Sequence, residues 1–152
     1  MTKLTLLQGI SGSGKSTYAY ERAVRTGEAI VNRDSIRFKH YGVYYGPPID
    51  ERVVTVIEQG AVLSSLVRGI DVILDNTNID HHIVNRWANF ASEFGVDFEI
   101  VGVSVPLDVA LKRNSRRERQ VPEDVIRGQY TKLQRNIANG RYAVQPLESE
   151  IP

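Results

Sequence analysis

The stretch Gly9-Ile10-Ser11-Gly12-Ser13-Gly14-Lys15-Ser16 constrains this chain more than any other. It satisfies the Walker A pattern G-x-x-x-x-G-K-[ST], and it lies between an apolar run, Leu4 to Leu7, and a helical one, which is where that pattern acts. Glycines let the backbone curl with its N–H groups turned inward, and the helix that follows adds the positive end of its dipole. Such a loop cradles the phosphates of ATP or another nucleoside triphosphate through Gly12, Ser13, Gly14, Lys15 and Ser16, with Thr17 continuing the helix behind them. Lys15 brings a mobile positive charge to the β- and γ-phosphates. The Ser16 hydroxyl is placed to contact Mg2+ (or Mn2+) directly.

The 152 residues suffice for one domain, read as 1–140 with a C-terminal surface tail at 141–152, and are too few for a second core. Net charge is +1, so any basic surface is local. The absence of cysteine excludes disulfides, thiolate chemistry and Cys-built zinc sites, and makes the cytoplasm the default compartment. No apolar run has the length of a signal peptide core or a membrane span, so no membrane partner is expected. Oligomeric state is not legible. His40, His81 and His82 lack metal-site spacing and receive no role.

Short β-like runs alternate with longer helical ones, which predicts βα units and a mainly parallel sheet. Four strands are read at Leu4–Leu7, Glu28–Asn32, Asp71–Asp75 and Asp97–Val105. One helix opens at the glycine loop. A second spans about 51–67 and buries Val53, Val54, Ile57 and Ala61; a third spans about 80–94, with Ile83, Trp87, Phe90, Ala91 and Phe94 as its apolar stripe and Trp87 in the core. Helices then follow Pro106 and Pro122, the last stopping at Asn139-Gly140.

In open parallel sheets the chemistry gathers at the carboxyl ends of the strands, so the acids there matter most. Asp34 follows the second strand, where a carboxylate can accept the proton of an attacking hydroxyl and orient it; it can equally cap a short helix. Arg37, three residues on, faces the same way and suits an acceptor phosphate. Asp75 closes an apolar strand in a Walker B-like position, where it can order the magnesium shell through water, support Lys15 and Ser16, or hold an arginine; Asp34 can also reach the metal through water. The run Lys112 to Arg119 holds five basic residues. If helical, Arg113 and Arg117 share a face that can clamp a triphosphate, whereas Arg116 and Arg119 point elsewhere, toward solvent or a nucleic-acid backbone.

Gly-Ser-Gly-Lys-Ser-Thr (12–17), Asn-Arg-Asp (32–34) with Arg37, Asp-Asn-Thr-Asn (75–78), Lys-Arg-Asn-Ser (112–115) with Arg117 and Val-Pro-Glu-Asp-Val-Ile (121–126) follow one another in order. In these blocks the chain resembles the kinase domain of bacteriophage-type polynucleotide 5′-hydroxyl kinases. The resemblance implies a three-layer P-loop kinase fold, with a four-stranded parallel sheet, helices on both faces and an arginine-bearing lid. It also implies Lys15 and Ser16 on the donor phosphates and metal, Asp34 as general base, Arg37 on the acceptor, Arg117 as catalytic clamp and Arg113 as support. The implied acceptor is a 5′-hydroxyl end of DNA or RNA in nucleic-acid repair, in the host cytoplasm if phage-encoded. No motif for the phosphatase domain of the best-known members appears, so no 3′-phosphatase activity is expected.

Two other readings remain. A kinase of a small molecule or of a modified base in DNA would keep Lys15, Asp34 and the lid, and use Tyr41, Tyr44, Tyr45 and Gly46-Pro47-Pro48 to enclose its acceptor. A nucleotide-binding switch without turnover would need neither Asp34 nor the arginines.

Overall fold

A computed structural model describes residues 2–142 and 147–149. Its elements are β1 (Lys3–Gln8), α1 (Lys15–Thr26), β2 (Ala29–Val31), α2 (Arg33–Tyr41), α3 (Glu51–Val67), β3 (Val72–Asp75), α4 (His81–Phe94), β4 (Asp97–Val103), α5 (Leu107–Ser115), α6 (Glu123–Ala138) and β5 (Leu147–Ser149). The strands form one parallel sheet in the order β2-β3-β1-β4-β5. The four strands read from sequence are its body.

Both faces of the sheet are covered, which is why its strands read as continuous apolar runs rather than alternating ones. Leu4, Leu6, Leu74 and Ile100 join Val62 and Leu66 of α3 and Val84 and Trp87 of α4 in one core. Leu7, Ile73 and Val101 meet Ala19 of α1 on the opposite face. A third cluster, Ile10, Ala110 and Ile126, seats α5 and α6 beside the glycine loop. Trp87 is 1% exposed and meets Phe90 edge to face. No helix among the described residues is long and apolar enough to cross a membrane.

Several expectations shift. The α4 stripe is Val84, Trp87 and Ala91, while Ile83 and Phe94 stand partly exposed, a rotation of one position. On α3 the fully buried positions are Val54, Glu58, Val62, Ser65 and Leu66, with Val53, Ile57 and Ala61 only half-buried. β4 ends at Val103, two residues early, because the chain must turn to start α5 after Pro106. The 141–152 segment is not wholly a surface tail. Tyr142 is buried against the first core and its hydroxyl donates to the Ile79 carbonyl at 2.8 Å, and Leu147–Ser149 adds a fifth strand beside β4. A lone aromatic and a three-residue strand carry no period to detect. Residues 143–146 and 150–152 lie outside the described residues.

Candidate active site

Register places the site. Leu7 pairs with Asp75 and Val31 with Leu74, so the glycine loop after β1, Asn32-Arg33-Asp34 after β2 and Asp75 at the end of β3 emerge along one edge of the sheet. They line a cleft of about 710 Å³, which Arg113, Arg117 and Arg119 also line. Asn78 stitches the floor. In the left-handed conformation (φ 47°), it donates to the carbonyls of Leu7 (2.7 Å) and Leu74 (3.3 Å), while Gln8 Nε2 donates to the Asn78 carbonyl.

Gly12 and Gly14 both take positive φ. At Gly12 a side chain would also strike the backbone carbonyl of Ala110, so the loop is seated against α5 with no room for a β-carbon. Gly12→Ala should therefore cost roughly 1–3 kcal/mol through backbone strain alone and weaken nucleotide binding. Thermal unfolding beside a nucleotide titration checks both, and unchanged values would show that the loop has slack. α1 starts at Lys15 without a side-chain cap, leaving its first N–H groups open to the cleft. Ser13 is buried, and Ser16 and Thr17 stand on the exposed first turn.

Lys15 is 9% exposed and donates to the Ile10 carbonyl at 2.9 Å. Burial lowers its pKa from 10.5 to about 8; the Asp75 and Asp34 carboxylates pull it up and Arg117 pushes it down. Ser16 Oγ donates to Asp75 Oδ2 at 2.8 Å, which joins a hydroxyl and a buried carboxylate under the phosphate loop. Among the described residues no group of three His, Cys, Asp or Glu side chains is arranged to hold a metal. A divalent cation here would draw on these one or two oxygens, with phosphate and water supplying the rest, a donor set that suits Mg2+.

The cap on α2 is Asn32, whose side chain accepts from the Ser35 N–H at 2.8 Å. Asp34 is thereby free of the capping role considered for it. Its Oδ1 accepts from Arg37 Nη1 (2.9 Å) and its Oδ2 from Arg119 Nη2 (3.2 Å). Arg37 turns its other edge to Glu51, with Nε and Nη2 at 2.7 and 3.0 Å from the two carboxylate oxygens. Arg37, with Arg33, holds the Glu51 carboxyl below its ordinary pKa. Arg33 reaches Glu58 at 2.8 Å; Glu58, 1% exposed, also accepts from Asn76, whose own oxygen accepts the Arg33 N–H. This buried carboxylate locks the turn that presents Asp34 to the end of β3.

The basic run is not one helix. α5 stops at Ser115, and buried Asn114 bonds both the N–H and the carbonyl of Val121, closing 115–120 into a loop. Arg113, still on α5, donates to the Ser13 carbonyl at 3.2 Å. Arg117 leaves the helix yet lines the cleft; its N–H donates to the Asn114 carbonyl at 3.1 Å, while its guanidinium forms no hydrogen bond or ion pair among the described residues. Arg119, expected to point away, instead reaches into the cleft. Sequence reasoning missed Asn32 as cap, Glu51, Glu58, Asn114 and Gln129, whose Oε1 accepts the Ser11 N–H at 2.9 Å. Only Asn32 and Asn114, which lie inside the quoted blocks without an assigned role, offered a signal.

Residues 4–138 match the family model AAA_33, described as an AAA domain. A protein of Autographa californica nuclear polyhedrosis virus, whose assigned but unproven role is bifunctional polynucleotide kinase/RNA ligase, is 29% identical over 99% of this chain and 23% of its own length. The L-seryl-tRNA(Sec) kinase of Methanococcus maripaludis is 26% identical over 86% of this chain and 52% of its own. Among solved structures, a chain of the Pnkp1/Rnl/Hen1 RNA repair complex superposes with a TM-score of 0.81 at 27% identity, over 91% of this chain and 46% of that one. This chain thus spans from about a quarter to a half of the length of these relatives. With the match running from β1 to the end of α6, the chain belongs to the AAA_33 family and has the P-loop kinase fold.

Proposed function

We propose that this chain is a polynucleotide 5′-hydroxyl kinase, which transfers the γ-phosphate of ATP or another nucleoside triphosphate to the 5′-hydroxyl end of DNA or RNA. The observation that carries the reading is the Asp34–Arg37 pair facing the Lys15–Ser16 loop across one cleft. The similarity to proteins named for polynucleotide kinase and RNA repair supports the choice of acceptor.

In this reading the first-turn N–H groups of α1 and the Lys15 ammonium hold the β- and γ-phosphates, while Arg117, with Arg113 behind it, covers the transferring group as a lid. Asp34, aligned by two arginines, accepts the hydroxyl proton as the acceptor oxygen bonds to the γ-phosphorus; the bond from that phosphorus to the β-phosphate oxygen breaks, and the nucleoside diphosphate departs with that electron pair. Mg2+ (or Mn2+), bound at Ser16 and through water at Asp75, would neutralise phosphate charge. Arg37 supports the acceptor side.

Transfer of labelled γ-phosphate from ATP to a short 5′-hydroxyl DNA or RNA strand, run beside nucleosides and nucleoside 3′-monophosphates, tests this. Labelled strand ends are expected. Label on nucleosides alone would move the assignment to a small-molecule kinase, a reading favoured by Tyr44 and Tyr45 lining the acceptor side of the cleft. Acceptor-independent hydrolysis alone would remove kinase function altogether.

A further inference from the structure

We propose that a second groove, between the β3–α4 turn and α6, is a track for single-stranded nucleic acid, which takes the part of a polynucleotide that runs on past the reacting end. This rests on the polynucleotide reading of the cleft. The groove encloses about 630 Å³ and lies beside the cleft rather than in it. Two segments border both. On the β3–α4 turn Thr77 lines the cleft and Asp80 the groove; on α6 Gln129 lines the cleft and Gly128 the groove. A strand with its end in the cleft therefore has the groove within reach.

The chain as a whole is close to neutral, with 19 Lys and Arg against 18 Asp and Glu, yet Arg127, Lys132 and Arg135 line this groove against one carboxylate, Asp80. That carboxylate is already engaged, accepting the His82 N–H at 2.9 Å and the Lys132 ammonium at 3.5 Å. Arg127 pairs with Glu123 at 2.8 Å in solvent, and Arg135 has no ion pair among the described residues. Ion pairs this exposed are weak, so phosphates can take their place. Arg127 and Arg135 stand about two helical turns apart, roughly 12 Å along the axis, with Lys132 between them. A row of that length suits successive phosphates of one strand better than a single small anion. Gly128 sits within the row, and no atom lies within 4 Å of where its β-carbon would be, so a chain can approach the helix closely there. The other wall carries rings. His81 and His82 lie with their centroids 4.0 Å apart, and His82 is exposed. An imidazole face can stack on an unpaired base, and a stacking ledge beside a cationic row is the combination that binds single strands. A duplex would keep its bases away from these rings.

The double variant Arg127→Ala with Arg135→Ala, and the single variants His82→Ala and His82→Tyr, test the track. Binding is read without nucleotide, by fluorescence anisotropy of a labelled 5′-hydroxyl single strand of about 12 nucleotides over a series of salt concentrations. The double arginine variant should bind at least about tenfold more weakly at low salt, and its slope of log affinity against log salt should fall by about 1.4, or about 0.7 for each phosphate contact removed. His82→Ala should weaken binding at least about fivefold, the loss of one stacked base, and His82→Tyr should retain most of the affinity because a ring face remains. In turnover these losses should raise KM for the strand and leave kcat/KM for a nucleoside 3′-monophosphate at the parent value. Parent-like affinity and salt slope in the double variant would overturn the track even if strand ends are phosphorylated. Equal losses on the strand and on the nucleoside 3′-monophosphate would also overturn it, since the cleft itself would then be disturbed. So would an acidic peptide that displaces the strand as well as unlabelled strand does, which would make the groove a protein-binding surface. The stated losses of affinity without any transfer to strand ends would keep the track and sink the kinase reading alone.

Discussion

Asp34→Asn is expected to lower kcat for phosphoryl transfer by roughly 10²- to 10⁴-fold, the range for a lost general base, while nucleotide affinity stays that of the parent chain. The substitution is unusually clean here. Asn32, not Asp34, caps α2, so the helix start survives, and asparagine retains an oxygen to accept from Arg37 or Arg119. What it loses is the capacity to take a proton. Single-turnover rates with saturating ATP, beside a nucleotide titration, measure the two quantities separately. Full activity in Asp34→Asn would remove the base role. A loss matched by Asn32→Ala would show that turn geometry, rather than the carboxylate, had been disturbed, and Asn32→Ala should itself cost about 1 kcal/mol of stability through the missing cap.

How far this site could be read in the residues depended on whether its contacts are local. The phosphate loop was legible because a motif, an apolar strand and a helix coincide at Gly9–Ser16, and Asp34 and Asp75 were legible as acids at strand ends. The α2 cap was off by two positions because Asn32 and Asp34 are both competent caps, and only the backbone decides between them. Nothing in the sequence singles out Glu58; it is buried because its partners, Arg33 and Asn76, arrive from two other strand ends. Arg119 was misplaced because the basic run looks helical throughout. Two hydrogen bonds between the Asn114 side chain and the Val121 backbone turn the chain back instead, and that turn is what aims Arg119 at Asp34.

Lys15→Met should do two opposite things: reduce phosphoryl transfer by at least roughly 10²-fold, the scale of losing one preorganised electrostatic contact, and make the fold more stable at neutral pH. The sign follows from burial. Lys15 titrates near 8 in the folded chain against an ordinary 10.5, so between those values the unfolded chain holds more protons and stability rises with pH. Below pH 8 the full penalty of keeping a buried cation stands, roughly 3 kcal/mol at most, moderated by its bonds to the Ile10 carbonyl and Ser13. Urea denaturation at pH 7 to 10 should show the parent chain gaining on Lys15→Met as pH rises; parallel curves would mean that Lys15 is not strained by burial. Nucleotide binding near pH 8.5 should also take up protons, because a triphosphate adds negative charge beside Lys15 to that of Asp75 and Asp34. Calorimetry in buffers of different ionisation enthalpy measures that uptake directly, and its absence in Lys15→Met would assign it to this side chain. The same low-dielectric placement that costs the fold stability is what strengthens the ammonium's hold on phosphate, so the two effects of Lys15→Met have a single cause.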